Sequence, residues 1–376
     1  MKRAHFAAIA LPSAALILTA AFAGPLNPPA GPVAPTMKTM TEVEPRIAIN
    51  STNTPGALGA IYKIAQPGSY YLTGNVTANL FNDGIQIACS NVTLDLSGFA
   101  LLGGGATGAA NGVSVSGPCT NVTIKNGSAQ GWPGCGFKLD SAIDFRAADL
   151  SVDSCGAEGI LATTGATPSN NGGVIDNCVV SNCASPHGGF YVAKCRLSRC
   201  RAQSNTQYGF YCTASQLTDC TASDNQGMGI TVYSSNLVGC YTTGNEVGIY
   251  LAASSTATAC NAYRNHGTGF FVDSQVSATD CTATWNGDNT AFNYGGFAVV
   301  GSSARVEGCT ASNNQNFGIT GNLANSQCLV VRNFAVHNSA APANNFNGFS
   351  STNFVGPVIT TAGTITSTSP WANFSN

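Results

Sequence analysis

Tyr191, Tyr211, Tyr250 and Phe271 each stand two residues after a glycine, at Gly189, Gly209, Gly248 and Gly269. Thr231 takes the equivalent place after Gly229, and Tyr233 follows two positions further on. A phenol offers an apolar face that can stack on a sugar ring and a hydroxyl that can bond to it. Tyr191, Tyr211, Tyr233, Tyr250 and Phe271 are therefore the expected carbohydrate-binding residues. The plainer alternative is that aromatic residues suit strands, or that a loop covers them.

Cations concentrate nearby in Lys194, Arg196, Arg199 and Arg201, with His187 just before them. Such a cluster is ordinarily a solvated face. Glu246, His266 and Asp288, with Arg264 and Trp285 close in sequence, form another grouping. Paired carboxylates there could hydrolyse a glycosidic bond if they stood roughly 5 to 9.5 Å apart. Asp95, Lys125 and Asp153 read as outward residues on successive coils, which gives a cross-strand charge ladder worth a few tenths of a kcal/mol per pair.

The positions of these groups follow from a repeat of about twenty residues, and a period of that length means a solenoid. A glycine followed by alternating residues recurs at Gly84, Gly112, Gly136, Gly159, Gly189, Gly209, Gly229, Gly248, Gly269, Gly296 and Gly318. The first and third residues after it are mostly apolar, the pattern of a strand with one buried face. The residue between them defines an outward column: Gln86, Ser114, Lys138, Leu161, Tyr191, Tyr211, Thr231, Tyr250, Phe271, Ala298 and Thr320. A second column is read from Val92 and Val122 through Leu150 to Cys178, Cys200, Cys220, Cys240, Cys260, Cys281 and Cys309, with Leu94, Ile124, Val152, Val180 and Ala202 among its inward partners. Five residues after the last six cysteines stand Asn205, Asn225, Asn245, Asn265, Asn286 and Asn314. Asparagine tolerates left-handed backbone and can bond to the turns above and below, so an asparagine ladder is expected. Short strands stacked about 4.8 Å apart in this way make a parallel β-helix. An α-helical solenoid is excluded by the period of two and by the crowding of Gly, Asn and β-branched residues.

The chain has 15 cysteines. Thiols stacked one strand apart with parallel Cβ vectors suit neither a disulfide nor a tetrahedral metal site, so the seven in the column are read as small buried hydrophobes, a cysteine ladder. Cys89 and Cys119 are the more plausible bridge. No metal and no cofactor are expected.

Gln66-Pro-Gly-Ser-Tyr-Tyr-Leu-Thr-Gly74, Asn91-Val-Thr-Leu-Asp-Leu-Ser-Gly98, the repeats, and a tail with Gly356-Pro-Val and Pro370-Trp-Ala-Asn-Phe374 resemble the right-handed parallel β-helix proteins of the pectate-lyase-like superfamily. They are most similar to secreted planctomycete-type members of unknown activity. The resemblance covers nearly the whole chain after its first segment. It implies an all-β fold, a right-handed parallel β-helix solenoid of roughly eleven coils with N- and C-terminal caps. Lyases of that superfamily abstract a proton beside a uronate carboxylate with Arg or Lys, often with Ca²⁺ neutralising the acid, which makes Lys194 and Arg196 the candidate catalytic pair. Ca²⁺ is expected only if the chain is a lyase, and no clustered acidic site for it is apparent. The Asn-Thr-Asp, Asp-Asp and Gly-His-Gly motifs of polygalacturonases are absent.

The ends differ from the body. Lys2 and Arg3, an apolar run from about Phe6 to Phe22, and Ala21-Phe22-Ala23 read as a signal peptide over 1–23. A Pro/Ala/Gly-rich linker follows over 24–41, then an N-terminal cap over 42–80, the β-helix over 81–343 and a C-terminal cap over 344–376. No later stretch approaches the ~18 apolar residues that span a bilayer. Charged residues are 9% of the chain and the net charge is −2, which excludes the phosphate neutralisation that nucleic-acid binding needs. The expectation is a secreted monomer (extracellular, cell-surface or periplasmic) whose partner is a polysaccharide or cell-surface glycan bound along the aromatic column. The alternatives are a polysaccharide lyase or glycoside hydrolase acting on acidic polysaccharide, and a structural or adhesive surface protein.

Overall fold

The computed structural model describes residues 44–375 apart from 79–80, 106–107, 164–171, 289–294, 323, 325, 340–343 and 361–366. The expected signal peptide and linker lie outside the described residues. Arg46–Asn376 forms one compact unit. Its named elements are all strands, and among the described residues no helix is long and apolar enough to cross a membrane.

In the regular coils three short strands form three faces. In one coil these are Phe190–Ala193, Cys195–Ser198 and Arg201–Gln203; in the next they are Phe210–Thr213, Gln216–Thr218 and Thr221–Ser223. Every strand pairs in parallel with its equivalent one coil away. The first face is a 13-stranded sheet that runs from Ala60–Ile64 to Phe346–Asn347, so it begins and ends inside the segments expected as caps. All eleven outward residues read from the glycine repeat lie in one continuous register, extended by Lys63 before Gln86 and Asn347 after Thr320.

The glycines before these strands are small because of what they face. A Cβ on Gly229 would lie 2.7 Å from Asn245 Nδ2 and 2.8 Å from the Gly248 carbonyl oxygen. Asn245 belongs to the expected ladder, which is present. Asn205 Nδ2 donates to Asn225 Oδ1 (2.8 Å), Asn225 to Asn245 (2.9 Å), Asn245 to Asn265 (3.0 Å), Asn265 to Asn286 (3.0 Å) and Asn286 to Asn314 (2.9 Å). The chain of amides continues through Asn338 and Asn345 to Ser375. One expectation needs correcting: the left-handed residue is the one before each asparagine (Ser204, Asp224, Gly244, Arg264, Trp285, Asn313). That bend turns the asparagine inward, where burial makes every amide bond count.

The second face was not anticipated. It carries the inward series Leu197, Leu217, Leu237, Ala257 and Ala278. At its entry the hydroxyls of Ser215, Ser235 and Ser255 accept the backbone N–H of Cys195, Ser215 and Ser235. A further left-handed residue (Arg199, Asp219, Gly239, Ala259, Asp280) makes the corner to the third face.

The second column of the sequence reading therefore splits. Val92 and Val122 are in register with each other, and Thr123 pairs with Arg146, so these valines and Leu94/Ile124 lie on the second face. Leu150, Cys178 and Cys200 lie on the third, where Leu150 is opposite Gly127. The early coils conceal this because Val122–Gln130 and Arg146–Asp153 each cross the corner as one strand. Asp153 accordingly pairs with Gln130 and Ser181, not with Lys125. Lys125 meets Asp95, with Nζ 3.7 Å from Oδ2, and Arg46 shares that carboxylate.

Cys178, Cys200, Cys220, Cys240, Cys260, Cys281 and Cys309 are buried and unbridged. The carbonyl of each accepts an N–H from the following coil where that bond is described, as Cys200 does from Thr221 at 2.9 Å. Cys89 and Cys119 are also free thiols, each directed at a backbone carbonyl.

Candidate functional site

The five expected aromatic residues come together on the outside of the first face. Tyr191 and Tyr211 meet edge to face with centroids 5.2 Å apart, and Tyr250 and Phe271 are tilted at 5.1 Å. The register leaves Thr231 between Tyr211 and Tyr250, and that threonine is buried beneath its neighbours. Tyr233, from the next outward position of the same strand, fills the gap: it lies 5.5 Å from Tyr211 and 6.3 Å from Tyr250. The five rings thus form one unbroken strip, each partly exposed. Ring contacts of this kind contribute ~0.5–1.5 kcal/mol apiece. They stiffen the strip as well as stabilising it.

Two more rings extend the strip from the turn that leads into the first face. Tyr208 meets Tyr211 edge-on at 5.4 Å, and His187 stacks on Tyr191 at 4.2 Å with planes 12° apart. His187 therefore belongs with the tyrosines and not with the cations that follow it in sequence. The signal was available: Tyr208 directly precedes Gly209, and His187 precedes Gly189 by two residues.

Carboxylates flank the strip. Glu158 Oε1 accepts the Ser185 hydroxyl at 2.6 Å and lies 3.1 Å from His187 Nδ1, while Cys135 Sγ is 3.6 Å from Oε2. Burial opposes ionisation of Glu158. The hydrogen bonds from Ser185, its own amide, His187 and Cys135 outweigh that and hold the carboxyl below its usual range. An ionised Glu158 can only accept, so His187 Nδ1 carries a proton toward it. At the other end Tyr250 donates its hydroxyl to Asp273 Oδ2 at 3.2 Å. Burial first, and Asp273 second, push the Tyr250 phenol up.

Lys194 and Arg196 are also brought together, but around the corner. They line a shallow groove of about 480 Å³ with Gly173, Ser215, Gln216 and Asn236 between the first and second faces. Arg196 Nε donates to Gln216 Oε1 at 3.2 Å. The other cations of this region are separated from them: Arg199 pairs with Asp176 at 2.7 Å. His266 and Asp288 meet as their spacing implied, Nδ1 to Oδ1 at 2.9 Å, on an exposed turn. Glu246 lies one coil below, its carbonyl accepting the Gly267 N–H. Among the described residues no group of three or more His, Cys, Asp or Glu is gathered to hold a metal ion.

Residues 111–261 match a family model described as a right-handed β-helix region. The chain carries a right-handed parallel β-helix. No curated protein matches it. Solved structures similar to this β-helix include the A-module of Azotobacter vinelandii mannuronan C-5 epimerase AlgE4, at 15% identity and a TM-score of 0.47 over 82% of this chain and 91% of that one. The periplasmic alginate epimerase AlgG is similar at 9% identity and a TM-score of 0.44, over 81% and 80%. Tailspike gp49 of the Acinetobacter baumannii bacteriophage Fri1, a capsular polysaccharide depolymerase, is similar at 11% identity and a TM-score of 0.41, over 79% of this chain and 57% of that one.

Proposed function

We propose that this β-helix, exported by the signal peptide read at 1–23, binds polysaccharide along the strip Tyr191–Tyr211–Tyr233–Tyr250–Phe271. The observation that carries the reading is the continuity of the rings. Aromatic side chains on a solvent-facing strand column are otherwise scattered, whereas Tyr233 here closes the one gap the register leaves. From Tyr191 to Phe271 the strip climbs four coil steps, about 19 Å at the usual strand spacing, which suits a short run of sugar units. Parallel coils make the floor rigid, so little ordering cost falls on the protein when a chain docks.

Affinity electrophoresis through gels containing soluble polysaccharides tests this directly. The native protein is retarded, and Tyr211→Ala and Tyr250→Ala lose the retardation while still unfolding cooperatively from the native β-helix, at a melting temperature lowered by their lost ring contacts. Unchanged mobility of both variants in a gel that retards the native protein removes the strip as the binding surface.

A second reading rests on the corner groove. Lys194 and Arg196 converge there without a carboxylate among the lining residues, which suits an anionic group on a glycan and keeps a lyase acting on acidic polysaccharide in view. Loss of unsaturated-uronate production in Lys194→Ala, with folding intact, is what that reading requires.

A further inference from the structure

The charged groups around the strip distinguish between classes of glycan. On the outward column of the first face the cations are Lys63 and Lys138, both before Tyr191; Lys138 is two coils below it, with Leu161 between. From Leu161 to Thr320 the column carries no charge. Two carboxylates bond to rings of the strip: Glu158 to His187 at its start and Asp273, on the coil of its last ring, to Tyr250. Both bear on the tyrosine hydroxyls, since Glu158 adds to the effect of burial and Tyr211 on Tyr191, and Asp273 adds to that of burial on Tyr250.

The free valences at the Phe271 end are acceptors. Asp273 has each oxygen engaged once, by the Ser274 amide and the Tyr250 hydroxyl, and each keeps a further lone pair. Acceptors beside an aromatic floor match the O–H donors of uncharged sugars, and a hydrogen bond to a carboxylate is about twice as strong as a neutral one. A uronate or sulfate laid on the same floor would place like charge beside Asp273 and Glu158.

We infer that the strip selects uncharged, hydroxyl-rich glycans over polyuronides and sulfated chains, with the Asp273 carboxylate taking sugar hydroxyls at its Phe271 end. This rests on the reading of the strip as a polysaccharide-binding surface and adds the class of ligand.

The test is affinity electrophoresis at low ionic strength in a Lys194→Ala/Arg196→Ala background, which removes the corner groove as a competing anion site. Hydroxyethylcellulose, galactomannan and mixed-linkage β-glucan serve as neutral probes, alginate and polygalacturonate as acidic ones. At least one neutral polymer is bound tenfold or more tightly than either acidic one, and Tyr211→Ala abolishes that binding. Asp273→Asn narrows the preference by about threefold, and added salt narrows it in the parent protein. If the acidic polymers bind as tightly as the neutral ones and Tyr211→Ala still abolishes binding, the strip stands and its selectivity is overturned. If no probe binds, or Tyr211→Ala changes nothing, the binding reading falls and the selectivity falls with it.

Discussion

The imidazole of His187 lies flat on the phenol of Tyr191, with centroids 4.2 Å apart, while its Nδ1 sits 3.1 Å from Glu158 Oε1. The first ring of the strip is thereby tied to a largely buried carboxylate held below its ordinary range by Ser185, its own amide, His187 and Cys135. A carboxyl with a lowered folded-state pKa contributes stability above its unfolded value of about 4.3 and loses it as pH falls through the folded value. The melting temperature is therefore expected to fall below about pH 4, and Glu158→Gln to flatten part of that fall. Thermal melts from neutral pH to about pH 3 check it; a parallel decline in parent and variant contradicts it.

The buried thiols act at the opposite end of the pH scale. Burial pushes Cys195 up to about 12 and Cys212 well up. A raised folded-state pKa means stability fully present below the unfolded value near 8.5 and lost as pH rises beyond it. Each such thiol costs roughly 1.4 kcal/mol one unit above that value. Urea midpoints of the reduced protein fall between pH 8 and pH 10, and Cys212→Val reduces the slope.

Asn245 stands at the centre of the ladder. Its Oδ1 accepts both the backbone N–H of Asn225 (3.0 Å) and its Nδ2 (2.9 Å). Asn245→Ala leaves the buried Asn225 N–H without an acceptor, leaves Asn225 Nδ2 with the Ala202 carbonyl, and is expected to cost about 3 kcal/mol. Asn261→Ala, on an exposed strand position one coil on, stays within ~0.5 kcal/mol. Equal urea midpoints for the two variants would contradict the account.

Gly229→Ala separates close approach from backbone freedom. Gly229 is not among the glycines with positive φ, yet its added methyl would press on Asn245 Nδ2 and the Gly248 carbonyl. Overpacking of this kind costs ~1–3 kcal/mol. Gly74→Ala meets nothing within 4 Å and should be near neutral.

How much of this was legible depends on how strictly each column repeats. The outward residues after the glycines align without error because a Cβ there would meet the backbone carbonyl of the next coil, joined from Gly189 onward by an asparagine amide. The five ring positions followed from that alignment. The second face is not read from the sequence although Leu197, Leu217 and Leu237 recur every twenty residues, because no glycine or asparagine recurs at a fixed position in its strands. Val92 and Val122 fall in the wrong column because the coils of Val122 and Leu150 carry two faces on one long strand, and the corner leaves no break in the pattern there. The partnership of Glu158 with His187 links residues 29 apart across a coil of irregular length, so no fixed period points to it.

The central claim is that the tyrosine strip is a glycan-binding surface. Its most direct test is the dissociation constant of the native protein and Tyr211→Ala for one soluble neutral polysaccharide, with melting temperatures measured alongside. Removing one stacking ring from the middle of the strip should weaken binding by tenfold or more, about 1.4 kcal/mol, with the native fold retained at the measurement temperature. Equal dissociation constants for a variant that folds as the native protein does would contradict it.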